Sequence, residues 1–330
     1  MGMQNQEPLV YVAVLNWFKY ETTAACLRTL VAMDYPRVQI IVVDNGSTNG
    51  SAEKLRAEFP QLRILETGEN LGYAGGNKWV SDLALSEGAD LLWVLNNDTT
   101  VRPNALSALV KAYLTFGEAV YSNTTLLSEH PDVIHYAGTY APDEPSDPAN
   151  PYDKLKGELL ESCWEQLTDR EARIYGHSLL IPVAVIAKFG FMDTGFFMFC
   201  EEEDYFLKLK KHGIPTRYVR DAIILHESSG SFKGKTGSLH QGMKLPLVYY
   251  GKRNKYFMKM RWEGQAPSFA LQDRGGWWTL VKFFIKFRLS SKEKKASMME
   301  DYMWNLAAWH AWKGVRGKTL DPADYRDAVG

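Results

Sequence analysis

Long apolar runs are missing from this sequence: nowhere in its 330 residues does an uninterrupted stretch approach 18, so no membrane span is expected. Cysteine is scarce as well. Cys26, Cys163 and Cys200 are odd in number and far apart, which excludes a zinc spacing or a disulfide framework and makes a reducing compartment the simpler expectation. The opening residues, MGMQNQEP, hold no basic segment leading into an apolar one, so no secretory signal is expected there. Two phosphate-binding signatures are also lacking. The glycine-rich residues 72–76 are not followed by Gly-Lys-Ser/Thr, and they come after the third strand rather than the first, which excludes a Walker A loop and a dinucleotide fingerprint.

What is present begins with charge. The formal net charge of −1 conceals a division: residues 231–320 carry 18 Lys/Arg against 5 Asp/Glu, hence +13, with −14 in the rest of the chain. A basic C-terminal third is expected to face phosphates, whether of nucleotides, lipid headgroups or nucleic acid.

Hydrophobic patterning predicts an α/β chain. Residues 9–15, 39–43, 62–65 and 91–95 are short apolar runs that read as buried strands, alternating with helical periods over 21–33, 51–59 and 79–86. This alternation specifies βαβ units and a mostly parallel, doubly wound sheet flanked by helices. Each run ends in a polar or glycine-rich cluster: Asn16, residues 44–48 (Asp-Asn-Gly-Ser-Thr), residues 70–77 (Asn-Leu-Gly-Tyr-Ala-Gly-Gly-Asn) and Asn96-Asn97-Asp98. Any one of these is ordinary turn chemistry. Four on one sheet edge favour a ligand crevice, because ligands of open α/β sheets bind beyond the strand ends at the point where the strand order reverses.

Further strands are expected at 120–127, 133–138, 174–181 and 223–225, and helices at 103–116, 182–189 and 245–260. Residues 141–152, rich in Pro, Asp and Asn, read as a surface excursion or lid, and 231–238 as a flexible basic segment. The aromatic segment 195–199 runs into Glu201-Glu202-Glu203-Asp204 at the start of a helix closed by Gly213. Acidic residues favour a helix N-terminus, yet four in succession exceed what capping requires. His226 is again the first polar residue after an apolar strand. In the tail, residues 277–289 (WWTLVKFFIKFRL) are too few to span a bilayer but suited to lie on one, and 298–315 repeat the aromatic and basic character. Membrane-surface contact and a helical hairpin packed on protein, in this chain or in a homo-oligomer, both remain open for this tail.

In order and spacing these segments resemble the inverting glycosyltransferases of family 2, with the GT-A fold, in their rhamnosyltransferase-like branch. The resemblance rests on Asn16-Trp17, Asp44 to Thr48, Asn70 to Asn77, Asn96 to Thr99, Gly195-Phe196-Phe197 with the acidic quartet, His226 and Arg253-Asn254. It implies a GT-A domain over residues 1–260, nucleotide-binding up to about 127 and acceptor-binding from about 128, followed by a helical, basic, aromatic-rich extension over 261–330. It implies that Asp44 accepts hydrogen bonds from the donor's base or ribose. Asn16, Gly72, Asn77 and Asn97 would shape the nucleotide pocket, with Arg253 adding charge neutralisation. Asp98, the acid kept from the family's Asp-x-Asp, would hold Mg2+ or Mn2+ together with His226. Glu201 and Glu202 occupy the family's Glu-Asp pair and Asp204 its trailing acid. Glu202, where the family has Asp, is the expected general base, with Glu201 the competitor.

The implied activity is transfer of a sugar, rhamnose or another deoxysugar, from a dTDP- or UDP-linked donor to a glycan or lipid-linked glycan in cell-surface polysaccharide synthesis. The expected setting is the cytoplasm, at or near the inner face of the cell membrane. The competing reading is a catalytically inactive sugar-nucleotide-binding or scaffold protein of the same fold. No nucleic-acid partner is expected, since only the basic tail points to one.

Overall fold

The structure, a computed structural model, describes residues 7–138, 155–227 and 241–322. The expected lid at 141–152 and the basic segment at 231–238 lie outside the described residues. The chain divides into two compact units, Met1–Asn70 with Gly76–Phe191 and Lys208–Ser231, and Leu71–Gly75 with Met192–Leu207 and Phe232–Gly330.

The first unit is built on one ten-stranded sheet. Its first half follows the expected alternation: β1 (Val10–Asn16), α1 (Tyr20–Leu30), β2 (Val38–Asp44), α2 (Ser51–Glu58), β3 (Arg63–Glu66), α3 (Gly72–Glu87) and β4 (Leu91–Asn96). These strands are all parallel, in the order β3-β2-β1-β4. The order reverses between β1 and β4, so the switch point lies where Asn16 and Asn96 end their strands. The register is tight there: Asn16 pairs with Asp44, and Leu15 with Asn96.

The second half of the sheet is mixed. After β5 (Thr99–Val101), α4 (Ala105–Phe116), β6 (Val120–Leu127), β7 (His130–Tyr136), α5 (Leu160–Cys163) and β8 (Arg170–Glu171) come β9 (Ser178–Pro182) and α6 (Val183–Phe189). Strand β9 inserts antiparallel beside β4, and β6 stands antiparallel on its other side. Strand β10 (Thr216–His226) pairs parallel with β6 and antiparallel with β5. It is far longer than the three residues expected from sequence, because Arg217, Arg220 and Asp221 interrupt its apolar pattern and its register shifts between Val219 and Ile223.

β1 reads as a continuous apolar run because both faces are covered: Val10, Tyr11, Val12, Ala13 and Val14 are all buried. Its Val10, Val12 and Val14 join Ala24, Leu27 and Leu30 of α1 and Leu106 and Leu109 of α4 in one core. Each such side chain removed from water contributes about 1.5–3 kcal/mol. Trp93, central in β4 and wholly buried, satisfies its indole N–H by donating to Ser178 Oγ at 2.9 Å.

The second unit is helical: α8 (Gln241–Trp262), α9 (Ser268–Gln272), α10 (Trp277–Leu289), α11 (Lys292–Ser297) and α12 (Met299–Trp312). α12 packs along α8, with Tyr249, Met303 and Ala307 in one cluster and Tyr256, Ala308 and Ala311 in another. The remaining helix, α7 (Glu201–Lys211), starts at the acidic quartet. Among the described residues no helix is long and apolar enough to cross a membrane.

Candidate active site

The ends of β1, β2 and β4 are tied by a directional chain of hydrogen bonds. Asn97 Nδ2–H donates to Thr23 Oγ1 (2.8 Å), and the Thr23 hydroxyl donates to Asn16 Oδ1 (2.7 Å). Asn16 Nδ2–H in turn donates to Asp44 Oδ2 (2.6 Å), and Asp44 Oδ1 accepts the backbone N–H of Ser47 (2.7 Å). All four side chains are buried, and each takes part in holding the next. Asp44 keeps acceptor capacity, since each carboxylate oxygen has a second lone-pair site. Just past β1, Phe18 takes a left-handed φ of 60°, a conformation costly for a non-glycine residue, and its N–H is fixed by Ser47 Oγ at 2.8 Å. Gly46 (φ +79°) is required: a Cβ there would stand 2.4 Å from the backbone of Glu69.

Asp98 and His226 meet through strand pairing rather than sequence proximity. β5, immediately after Asp98, pairs antiparallel with the end of β10, so that His226 lies opposite Thr99, and the N–H of Glu227 donates to Asp98 O at 2.9 Å. This brings His226 Nε2 to 3.2 Å from Asp98 Oδ1, with both side chains largely buried. Neither ring nitrogen of His226 makes a hydrogen bond among the described residues. Two ligands at right angles on one octahedral Mg2+ lie about 3 Å apart. The pair therefore fits adjacent positions on one hard cation, and the buried imidazole nitrogens supply the reason for it. Among the described residues no group of three or more His, Cys, Asp or Glu is placed to hold a metal.

Two further histidines surround this pair. His177 stacks on His226, ring centroids 5.0 Å apart, and His135 lies 5.9 Å from it. Burial, and then the neighbouring His226 and His135, hold His177 well below the usual histidine range, so it is neutral and its Nε2 bonds Thr125 Oγ1 at 2.7 Å.

The acidic quartet sits in the second unit behind a strained aromatic turn. Phe197, Phe199 and Cys200 all have φ between 67° and 69°, which non-glycine residues rarely adopt. Asn254 Nδ2 holds this turn by donating to the carbonyls of Phe196, Met198 and Phe199 at 2.7–2.9 Å. Arg253 donates to Phe196 O, Gly317 O, Thr319 Oγ1 and Asn254 Oδ1, and it is completely buried. The Arg253 guanidinium is thus engaged by acceptors inside the protein. Gly72 (φ +75°) passes the same turn so closely that a Cβ would lie 2.0 Å from Phe197 O, while Tyr73 N–H donates to that oxygen at 3.0 Å. Residues 72–77, which precede the helical period expected from 79, are the opening turns of α3, and Asn77 is buried within it.

The four acids differ in environment. Glu201 is buried and its Oε2 has no hydrogen-bond partner among the described residues; burial, and then the charge of Glu202, push its carboxyl well above the usual range. Glu202 is half-buried and Glu203 exposed. Asp204 is buried and held by Arg261 Nη1 (2.7 Å) and Trp262 Nε1 (2.9 Å), so its carboxylate ties α7 to α8. Arg261 also reaches Asp193 (2.9 Å), which Arg316 holds from another side (2.7 Å). Burial pushes the Asp193 carboxyl up, but hydrogen bonds from Arg316, Arg261 and the Gly195 N–H outweigh it and bring it down to about 2.

The family model described as "Glycosyl transferase family 2" matches residues 10–156, which span β1 to β7 and contain the switch point. Over these residues the chain is similar to the family-2 glycosyltransferases. It is 26% identical over 224 residues to the N-acetylglucosaminyl-diphospho-decaprenol L-rhamnosyltransferase of Mycobacterium tuberculosis, in strains CDC 1551 and H37Rv alike, covering 59% of this chain and 68% of that protein. A solved structure with the same fold is the mannosyltransferase PcManGT from Pyrobaculum calidifontis in complex with GDP-Man and Mn2+. The TM-score is 0.52 at 13% identity, covering 93% of this chain and 88% of that one.

Three residues of this neighbourhood carry no signal in the sequence. Thr23 lies inside a helix, where hydroxyls are common and carry no signal. His177 precedes its strand; because β9 runs antiparallel, it is the start of β9, paired at Ser178 with Leu95, that reaches the switch edge. Asp193 is sixty residues or more from both its arginines. Replacing Thr23 by Val, which leaves the buried Asn97 amide and Asn16 carbonyl without their shared partner, is expected to lower unfolding stability by about 1–3 kcal/mol in urea titration, with Thr23→Ser retaining most of it. Because the Asp193 carboxyl is depressed, its contribution to stability is complete above its ordinary value of 3.8 and is lost as pH falls through about 2. Acid unfolding between those two values is therefore expected to be less steep in Asp193→Asn than in the wild type, as monitored by tryptophan fluorescence.

Proposed function

We propose that this transferase moves a deoxyhexose, rhamnose in the first instance, from a dTDP- or UDP-linked donor to a hydroxyl of a diphosphate-lipid-linked glycan, with inversion at the anomeric carbon. The observation that carries the reading is the Asp98–His226 pair at the strand-order reversal, 3.2 Å apart, with both imidazole nitrogens buried and unbonded among the described residues. The similarity to the mycobacterial L-rhamnosyltransferase supports the sugar and the lipid-linked acceptor, and the Mn2+ of the PcManGT complex agrees with a divalent cation.

Asp98 and His226 are the residues that would hold Mg2+ or Mn2+. When bound, the cation neutralises the negative charge that grows on a departing nucleoside diphosphate. Asn16, Asp44 and Asn97, locked by their hydrogen-bonded chain, form the nucleotide side, and Asp44 offers its remaining lone pairs to base or ribose. In the second unit burial, and then the charge of the adjacent Glu202, push the Glu201 carboxyl well above the usual range, which favours its protonated form. Glu202, half-buried beside it, is the carboxylate assigned as base. It takes the proton of the acceptor hydroxyl as that oxygen bonds to the anomeric carbon, on the face opposite the breaking bond to diphosphate.

Two substitutions separate these roles. Calorimetric titration of dTDP and UDP, each with and without Mn2+, is expected to show a metal-dependent increment in affinity that Asp98→Ala removes; an undiminished increment would take Asp98 out of the metal role. Glu202→Gln is expected to leave donor affinity unchanged and to lower transfer by about 10²–10⁴-fold. A near-normal rate would reassign the base.

A further inference from the structure

The helix α10 has two apolar faces, and only one of them is covered. Leu280 is buried, Phe284 meets Tyr302 and Trp309 of α12 at ring-centroid distances of 5.8 and 6.5 Å, and Phe287 stacks on Tyr302 at 4.4 Å. At 3.6 residues per turn Trp278, Ile285 and Leu289 fall within about 40° of one another, on the side opposite Leu280. They are among the most exposed large hydrophobic residues described, at 69%, 54% and 80%. Exposed Lys282 and Lys286 line one edge of this stripe, and exposed Arg288 the other. Lys292, Lys294 and Lys295 follow in α11, and Glu293 is the single acid between residues 277 and 297.

We propose that this outward face of α10 is a lipid-binding surface that seats the protein on an anionic bilayer. Trp278, Ile285 and Leu289 would enter the headgroup boundary, and the flanking Lys and Arg side chains would reach the lipid phosphates. The helix is 13 residues, about 20 Å, too short to span a bilayer and long enough to lie in its surface. Charge complementarity selects this occupant. A second copy meeting the same face would bring Lys282, Lys286 and Arg288 against their own kind. A nucleic acid would satisfy those charges but leave the apolar stripe in water. An anionic membrane takes both, phosphate at the edges and hydrocarbon at the centre.

The test is flotation of the full-length protein with phosphatidylcholine vesicles and with vesicles of phosphatidylcholine and phosphatidylglycerol. It needs neither donor nor acceptor, so its outcome is independent of the proposed transfer reaction. The wild type is expected to float with the phosphatidylglycerol vesicles, to stay behind with phosphatidylcholine alone, and to be released by high salt. Ile285→Asp with Leu289→Asp, both at exposed positions, is expected to reduce vesicle partitioning by about tenfold or more while the thermal midpoint and nucleotide binding stay unchanged. Lys282→Glu with Lys286→Glu is expected to do the same through charge. Failure of the wild type to float, or equal flotation of the variants, overturns the proposal. A wild-type dimer in light scattering that Ile285→Asp/Leu289→Asp splits, without vesicle binding, gives the face to a second copy. A salt-sensitive shift with DNA or RNA in the absence of vesicle binding overturns it as well.

Discussion

A carboxylate buried as deeply as Asp44 must be held by donors, and the way this protein meets that requirement organises the edge of the sheet where the strand order reverses. Asp44 accepts from Asn16 and from the Ser47 backbone; Asn16 accepts from Thr23; Thr23 accepts from Asn97. Three strand ends and one helix are joined by one line of bonds pointing toward a negative charge. Such a line stabilises each of its members and allows few alternative rotamers, so the edge is preorganised before any ligand arrives. The parallel register beneath it, Asn16 opposite Asp44, makes this geometry possible.

The acidic quartet depends on a different constraint. Three non-glycine residues in a left-handed conformation just ahead of α7 cost on the order of 1–2 kcal/mol each. That strain is offset by Arg253 and Asn254, which supply donors to the carbonyls the turn leaves without helical partners. A buried guanidinium engaged in this way is a structural device, and it explains why Arg and Asn stand together at this point of α8. On either side Asp193 and Asp204 anchor the quartet's neighbourhood through Arg261 and Arg316, leaving Glu202 as the half-buried acid.

Much of this was legible beforehand, and the reasons differ by element. The first four strands were readable because buried parallel strands are continuous apolar runs, and each ends sharply in polar residues. Strand β10 was not, since charged residues at 217, 220 and 221 break the pattern at a register shift. The start of α3 is not legible as helix, because glycine is a poor helix former. Its glycines are there for close approach, at Gly72 to Phe197 O and at Gly76 to the Leu15 side chain. The short β5 carries too few residues for any periodicity, yet it is the pairing that brings His226 beside Asp98.

The sequence by itself determined the elements of the parallel half, the polar clusters at their ends, the acidic helix start and the amphipathic character of α10, because each is a local pattern of side chains along the chain. Only the tertiary structure decided the antiparallel insertion of β9 that delivers His177, the meeting of Asp98 with His226, the inward turn of Arg253 and the face of α10 left uncovered. Those outcomes rest on strand direction and on partners tens to more than a hundred residues away, which no local pattern encodes.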